Sequence, residues 1–295
     1  VASRGLGDVY KRQTQYIEEV EKDSSAGVPK AVRKPEFVDV FKNAGIQIVH
    51  LAEFHNRLGR ARRDHRKTLP LLKAMHDECA RLSDGELLLL PGEEPNVHLG
   101  GHWISFFPRP VMWVLNRAKD KPFIEEHSEY GRVYHVGSAG EVLKMMELEK
   151  GLMWAAHPRI KGSTGYPDRY REETFFKSDQ YLGGAWKAMP ADLSRARLGW
   201  RVLDLLDDTA NWGANKYILG EVDIFEVDHT TEFYAHANVN YLRLDSIPRY
   251  GDGWAPVLKA LRDGAFFIST GEVLLPRFTV GGLSLIHICR CRRAI

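Results

Sequence analysis

Histidine and glutamate residues follow several short apolar segments of this sequence, and both residue types can bind metal ions or transfer protons. In residues 87–103, LLLLPGEEPNVHLGGHW, four leucines run into Glu94 and then His102. Burying a carboxylate at the end of an apolar strand is costly unless it is paired, so this placement predicts a partner or a ligand. Comparable positions after other apolar segments are His55, His157, Glu226 and His229.

Apolar runs that alternate with helical patterns indicate how these residues are positioned. Strands are predicted in IQIVHLAEFHN, ELLLL, ISFFP, RVYHVG, LMWAAHP, VDIFEV and AFFISTG. Helices are predicted in residues 65–82, in SAGEVLKMMELEK with Ser138 as its cap, in SRARLGWRVLDLLDDTANW and in WAPVLKALRDG. Residues 162–189, rich in glycine, tyrosine and charge, are predicted to form a long loop. Repeated strand–helix units predict a mainly parallel sheet or a barrel, whose strand ends converge on one face.

Imidazole and carboxylate groups on one face predict a metal site of a particular kind. These donors suit Zn²⁺, Mn²⁺ or Fe²⁺ and not a thiolate centre. Such ions would activate water and clamp a hydrolysable ester. Arg159 and Lys161, just beyond His157, are candidates for binding an anionic substrate oxygen, and His98 is a further candidate substrate contact. Alternation along the strand directs Glu93 away from Glu94.

The two ends of the chain carry sequences that are related to each other at the level of DNA. Residues 8–13, DVYKRQ, can be encoded by GAT GTG TAT AAG AGA CAG, and the reverse complement of that string encodes LSLIHI, residues 283–288. This pair resembles the transposon mosaic end used as an adapter in sequencing libraries. We therefore expect residues 1–13 and 283–295 to be adapter-derived and non-native, and residues 14–282 to be one domain that lacks its original N-terminal part.

Excluding these ends changes what the composition implies. They hold six basic residues and one acidic residue, so the formal charge of the remainder is −3 and not the +2 of the whole chain. That balance gives no reason to expect nucleic acid as a partner. Of the three cysteines only Cys79 remains, which leaves no intramolecular disulfide framework. No apolar stretch is long enough to span a bilayer. Compartment and oligomeric state are left open.

PGEE with the following GGHW, then AAHP, then DIFEV, resembles the polymerase-and-histidinol-phosphatase (PHP) superfamily, and the segment WAPVLKALRDGAFFISTGEVLLPRFTVGG is more similar to its branch of carbaryl-hydrolase-like proteins. The resemblance covers residues 45–282. It implies a distorted (β/α)7-type barrel, incomplete at its N-terminus, with a di- or trinuclear centre and Glu94 bridging two metals. By motif, His55, His102 and His157 match family ligands. The family's opening H-x-H and closing D-x-H are absent, and at the latter position the chain offers only Glu272.

The resemblance implies a metal-dependent hydrolase that acts on an ester or phosphoester of a small molecule. Two alternatives remain open. One is a glycoside hydrolase that uses Glu94 and Glu226 as acid and base. The other is a catalytically inactive barrel that serves as a binding domain, which the missing D-x-H motif favours.

Overall fold

The structure is a computed structural model of the 295-residue chain, and it describes residues 3–10, 34–53, 65–159, 165–187, 200–221, 238–269, 279–280 and 283–284. Within these ranges the strands are β1 (Ser3–Tyr10), β2 (Ile48–Glu53), β3 (Leu88–Glu93), β4 (Trp103–Phe106), β5 (Met112–Val114), β6 (Ile124–His127), β7 (Gly131–His135), β8 (Leu152–Ala155), β9 (Tyr181–Lys187), β10 (Tyr217–Glu221), β11 (Val239–Arg243), β12 (Phe266–Ser269), β13 (Thr279–Val280) and β14 (Leu283–Ser284). The α-helices are α1 (Glu36–Asn43), α2 (His65–Leu82), α3 (Ala139–Leu148), α4 (Thr174–Lys177), α5 (Trp200–Asn211) and α6 (Ala255–Arg262).

A mixed sheet organises the molecule, so the α/β class predicted from the sequence is confirmed. Its strand order is β10-β9-β8-β4-β3-β2-β1-β11-β12. Neighbouring strands are parallel from β1 to β3 and from β8 to β10. The described strands form a curled half-barrel, so the finer prediction of a distorted (β/α)7-type barrel, incomplete at its N-terminus, is not shown by them. A second sheet holds β5, β7 and β6, and β13 pairs with β14.

Two strands depart from the mainly parallel arrangement that the sequence predicts. β4 is antiparallel to both β3 and β8, because only nine residues join β3 to β4, fewer than the dozen or so that a parallel crossover requires. β11 is antiparallel to β1 and β12. The predicted long loop at residues 162–189 is also wrong in part, since it contains α4 and the strand β9. The strand β9 is hard to predict from residue propensities, because the glycine pair in YLGGAWK is unfavourable within a strand.

β1 lies between β2 and β11, within the segment that the sequence predicts to be adapter-derived. Strand pairing uses backbone N–H and C=O groups, which every sequence supplies. The position of β1 therefore has no bearing on the origin of residues 1–13, which stays a prediction.

The predicted helices are confirmed where the structure describes them. α2 buries Leu72 and Cys79 on the face that its spacing predicts. Ser138 caps α3, and its hydroxyl accepts a hydrogen bond from the backbone of Glu141 at 3.2 Å. None of the helices in the described ranges combines the length and the apolar character that a bilayer span needs. The predicted strand VDIFEV lies outside the described residues.

Side-chain amides join the curled ends of the sheet where no strand ladder connects them among the described residues. Asn240 of β11 accepts a hydrogen bond from the backbone N–H of Gly220 at 2.7 Å and donates to the carbonyl of the same residue at 3.0 Å. Asn238 donates to the carbonyl of Trp186 at 2.8 Å. The amide of Asn240 thus takes the place of a neighbouring strand for Gly220 on β10.

Candidate metal centre

Three of the residues singled out by the sequence meet at one rim of the main sheet. Glu94 follows β3, His102 precedes β4 and His157 lies just beyond β8, and these strands are adjacent in the order β8-β4-β3. Because β4 runs opposite to its neighbours, its first residue lies beside the last residues of the other two strands. The antiparallel course of β4 therefore places His102 between Glu94 and His157.

Backbone hydrogen bonds fix this juxtaposition. The N–H of Trp103 donates to the carbonyl of Pro95 at 3.0 Å, which ties the start of β4 to the end of β3. The N–H of Ala156 donates to the carbonyl of His102, also at 3.0 Å, which ties the end of β8 to the start of β4. Each residue of the cluster thus lies within one position of an inter-strand hydrogen bond.

The return from Glu94 to His102 depends on the glycine pair before the histidine. Gly100 has φ +92°, a conformation that other residues rarely adopt. A Cβ atom on Gly100 would lie 2.0 Å from the ring of Tyr170, and one on Gly101 would lie 2.5 Å from the ring of Tyr166. Glycine at both positions therefore lets residues 166–170, the tyrosine segment, pack directly on the loop that carries His102.

The donor atoms of the cluster lie close enough together to hold one divalent ion. One suitable atom from each of Glu94, His102 and His157 lies within 4.8 Å of the other two. Nε2 of His157 lies 3.3 Å from Oε1 of Glu94, close to the separation of about 3.3 Å expected for two ligands with bonds of about 2.0–2.1 Å to a tetrahedral ion. Nδ1 of His102 hydrogen-bonds the same oxygen at 2.8 Å. Two imidazoles and one carboxylate fit Zn²⁺, Mn²⁺ or Fe²⁺, with a shift of about half an ångström at His102.

Exposure differs across the cluster and indicates which side is open. The side chain of Glu94 is 0% exposed and that of His157 is 2% exposed, whereas that of His102 is 21% exposed. A buried carboxylate is retained in proteins where charge or hydrogen-bond partners offset its desolvation. His102 is therefore the residue of the cluster that solvent reaches most readily.

The predicted substrate contacts have other partners in the structure. The ring Nε2 of His98 lies 2.6 Å from the carbonyl of Leu115. The guanidinium of Arg159 binds the carboxylates of Asp168 and Asp208. A role in substrate binding stays a prediction for both residues. The remaining predicted site residues lie outside the described part of the chain and are His55, Lys161, Glu226, His229 and Glu272.

Sequence reasoning missed a further buried carboxylate near this rim. Glu221 ends β10 and is 0% exposed. β10 runs parallel to β9, and β9 runs parallel to β8, so Glu221 lies at the end of the sheet that holds the cluster. The signal was similar to that for Glu94, a glutamate at the end of an apolar run, here YILG.

Comparison with solved structures finds a two-domain protein from Bacteroides vulgatus, described as containing a predicted PHP-like metal-dependent phosphoesterase. The two chains are 13% identical with a TM-score of 0.49, and the match covers 90% of this chain and 65% of the other. No family model and no curated protein matches the chain. The fold and the site themselves define the class, an α/β protein with a curled mixed sheet and a Glu–His–His cluster that could hold a divalent metal.

Proposed function

We propose that this chain is a metal-dependent hydrolase of the PHP type that cleaves a phosphoester or another ester of a small molecule. The observation that carries the proposal is the convergence of Glu94, His102 and His157 within 4.8 Å at the end of three adjacent strands. Its support from the sequence is the order of the motifs PGEE, GGHW and AAHP, which supply these three residues.

The residues of the cluster have different tasks in this proposal. Glu94 and His157, both buried, would hold the ion from the side of the core. His102 would hold it from the accessible side and orient the scissile group. A bound Zn²⁺, Mn²⁺ or Fe²⁺ supplies a Lewis acid and an activated water. His55, Glu226 and His229 are proposed as further ligands.

Metal binding and ester hydrolysis by the full chain test the proposal together. Purified protein is equilibrated with Zn²⁺ or Mn²⁺, its metal content is measured, and hydrolysis of p-nitrophenyl phosphate, bis(p-nitrophenyl) phosphate and p-nitrophenyl acetate is followed. We expect at least one ion per chain. Glu94→Gln removes the negative ligand with almost no change in shape, so it should weaken metal binding by more than about 100-fold and abolish hydrolysis.

A matched control is available one residue away. Glu93 is also buried, at 5% exposure, and is the last residue of β3, directly before Glu94. Glu93→Gln should retain both the metal and the activity. Less than one ion per chain in the unmodified protein at saturating metal would refute the proposal.

Adding p-nitrophenyl glycosides and a chelator to these assays separates the alternatives. A glycoside hydrolase would cleave p-nitrophenyl glycosides in the presence of a chelator, because its acid and base are carboxylates. A catalytically inactive binding domain would show no turnover of any ester, with or without bound metal.

A further inference from the structure

We infer that Arg159 is a positioning residue for His157, holding the turn that carries this histidine toward Glu94. The inference rests on the proposed function, because it assigns His157 its role as a ligand. From the sequence, the same residue is a candidate contact for an anionic substrate.

The turn that follows β8 has an unusual backbone. His157 has φ +30° and Arg159 has φ +65°, on either side of Pro158. Non-glycine residues seldom adopt positive φ, and such conformations persist where the surrounding structure fixes them. The direction of the His157 ring therefore depends on contacts made by its neighbours in the chain.

Arg159 supplies such contacts from its side chain and its backbone. Nε and Nη2 donate to the two carboxylate oxygens of Asp168 at 3.0 and 2.5 Å, and Nη2 also donates to Asp208 at 2.6 Å. The backbone N–H of Arg159 donates to the carbonyl of Tyr166 at 3.0 Å. The side chain is only 15% exposed, so these charge-assisted hydrogen bonds are partly shielded from water.

These contacts join separate parts of the fold at the turn. Asp208 belongs to α5, and Asp168 begins the 3₁₀ turn that follows Tyr166. Pro158 packs in the same place, since a Cβ atom on Gly184 of β9 would lie 2.9 Å from its ring. The tyrosine segment that Arg159 binds also packs on the loop carrying His102. The guanidinium of Arg159 thus links the turn that carries His157 to the tyrosine segment that packs on the His102 loop.

The local charge favours positioning over recognition of an anion. Two carboxylates already bind the guanidinium, and they would repel an anionic substrate that approached it. A planar fork bound to a carboxylate in bidentate fashion cannot be reproduced by lysine. Arg159→Lys should therefore fail to restore the metal affinity that is lost in Arg159→Met.

Co²⁺ binding to the full chain tests the inference, because the visible ligand-field bands of Co²⁺ report the geometry of its ligands. We expect Arg159→Met to raise the dissociation constant for Co²⁺ by about 10- to 100-fold, the effect typical of groups that orient a metal ligand, and to alter the spectrum. Asp208, which binds Arg159, has a side chain that is 44% exposed. Asp208→Asn is therefore a milder variant, which should shift the dissociation constant and the spectrum in the same direction as Arg159→Met. Arg171→Met is the matched control, since Arg171 lies in the same segment with its side chain 51% exposed.

A metal-free measurement keeps the two proposals separable. The ring resonances of His157 in the nuclear magnetic resonance spectrum should shift in Arg159→Met and stay in place in Arg171→Met. If the unmodified chain binds no Co²⁺, the proposed function fails. If it binds Co²⁺ and Arg159→Met leaves the affinity, the spectrum and the resonances unchanged, the positioning role alone is refuted. A raised KM for an anionic ester with unchanged Co²⁺ affinity would instead return Arg159 to substrate binding.

Discussion

His50 and His157 are both 2% exposed histidines of the main sheet, yet their surroundings give them different chemistry. His157 has a carboxylate oxygen 3.3 Å from its ring nitrogen. Nε2 of His50 lies 3.0 Å from the carbonyl of Ser105, and its ring lies against the rings of Phe106 and Trp154. A histidine among aromatic rings and carbonyls contributes to packing, whereas one beside a carboxylate can also bind a cation.

The burial of His50 predicts a stability that depends on pH. Desolvation lowers the pKa of His50 to about 3, with the hydrogen bond to the Ser105 carbonyl acting in the opposite direction. In the unfolded chain the pKa is about 6.5, so between these values the unfolded state binds the extra proton. The free energy of unfolding should therefore fall as the pH falls through this window, by about 1.4 kcal/mol per pH unit from this residue. Urea unfolding between pH 4 and 7 measures it.

His50→Gln should remove this slope while keeping a side-chain amide that can donate to Ser105. Some slope should remain, because burial also lowers the pKa of His76, to about 4. Phe106→Leu disturbs the same packing without removing a titrating group, so it should lower the free energy of unfolding by a similar amount at every pH. An unchanged slope in His50→Gln would contradict the assignment.

At the scale of elements, the curl of the sheet depends on the side-chain amide of Asn240, which makes the backbone hydrogen bonds to Gly220 that a neighbouring strand would otherwise make. Asn240 completes both backbone hydrogen bonds of Gly220, at 2.7 and 3.0 Å, in a fully buried setting. Gly220 is closely packed, since a Cβ atom there would lie 3.1 Å from Ile268 and 3.2 Å from Asn238, tighter than most such contacts. This close contact holds β10 against β11 and β12, and it keeps the two ends of the curled sheet together.

Asn240→Ala should therefore be costly. It leaves the N–H and the carbonyl of Gly220 without these partners, and each buried polar group left unsatisfied costs about 1–3 kcal/mol. We expect a loss of about 2–4 kcal/mol in the free energy of unfolding, measured by urea denaturation. Asn215→Ala, at an exposed loop position, serves as the control and should change the value by less than about 0.5 kcal/mol. An equally small effect of Asn240→Ala would show that the contact does not hold the curl.

At the scale of the whole molecule, the cluster links segments that are far apart in the sequence. Glu94 and His157 are 63 positions apart, and Asp208 lies 51 positions beyond His157. An ion held by the cluster would bind the folded chain and not the unfolded one. Metal binding should then stabilise the entire fold by mass action.

Thermal unfolding measures this coupling. At a metal concentration about 100 times the dissociation constant, the stabilisation is about 2.7 kcal/mol, which should raise the midpoint temperature by about 5 °C or more. A chelator should reverse the shift, and Glu94→Gln should lack it. The same rise in Glu94→Gln would place the ion elsewhere on the molecule.

Much of the site could be predicted from the sequence because its signal is local. Glu94 and His157 follow apolar runs that form buried strands, and His102 precedes another. A polar residue at the end of such a run is set apart by the cost of burying it. The cap of α3 at Ser138 and the buried face of α2 are encoded in the same way, by residue type and spacing within one turn or two.

Only the tertiary structure decided which distant groups meet. The antiparallel course of β4, the strand β9 within a glycine-rich segment, the hold of Asp168 and Asp208 on Arg159, and the pairing of Asn240 with Gly220 all join residues by their positions in space. Strand direction and long-range pairing depend on packing between segments, which no local pattern of residues specifies. The sequence by itself determined that Glu94, His102 and His157 are candidate metal ligands, and the folding of β3, β4 and β8 into neighbours decided that they lie within reach of one ion.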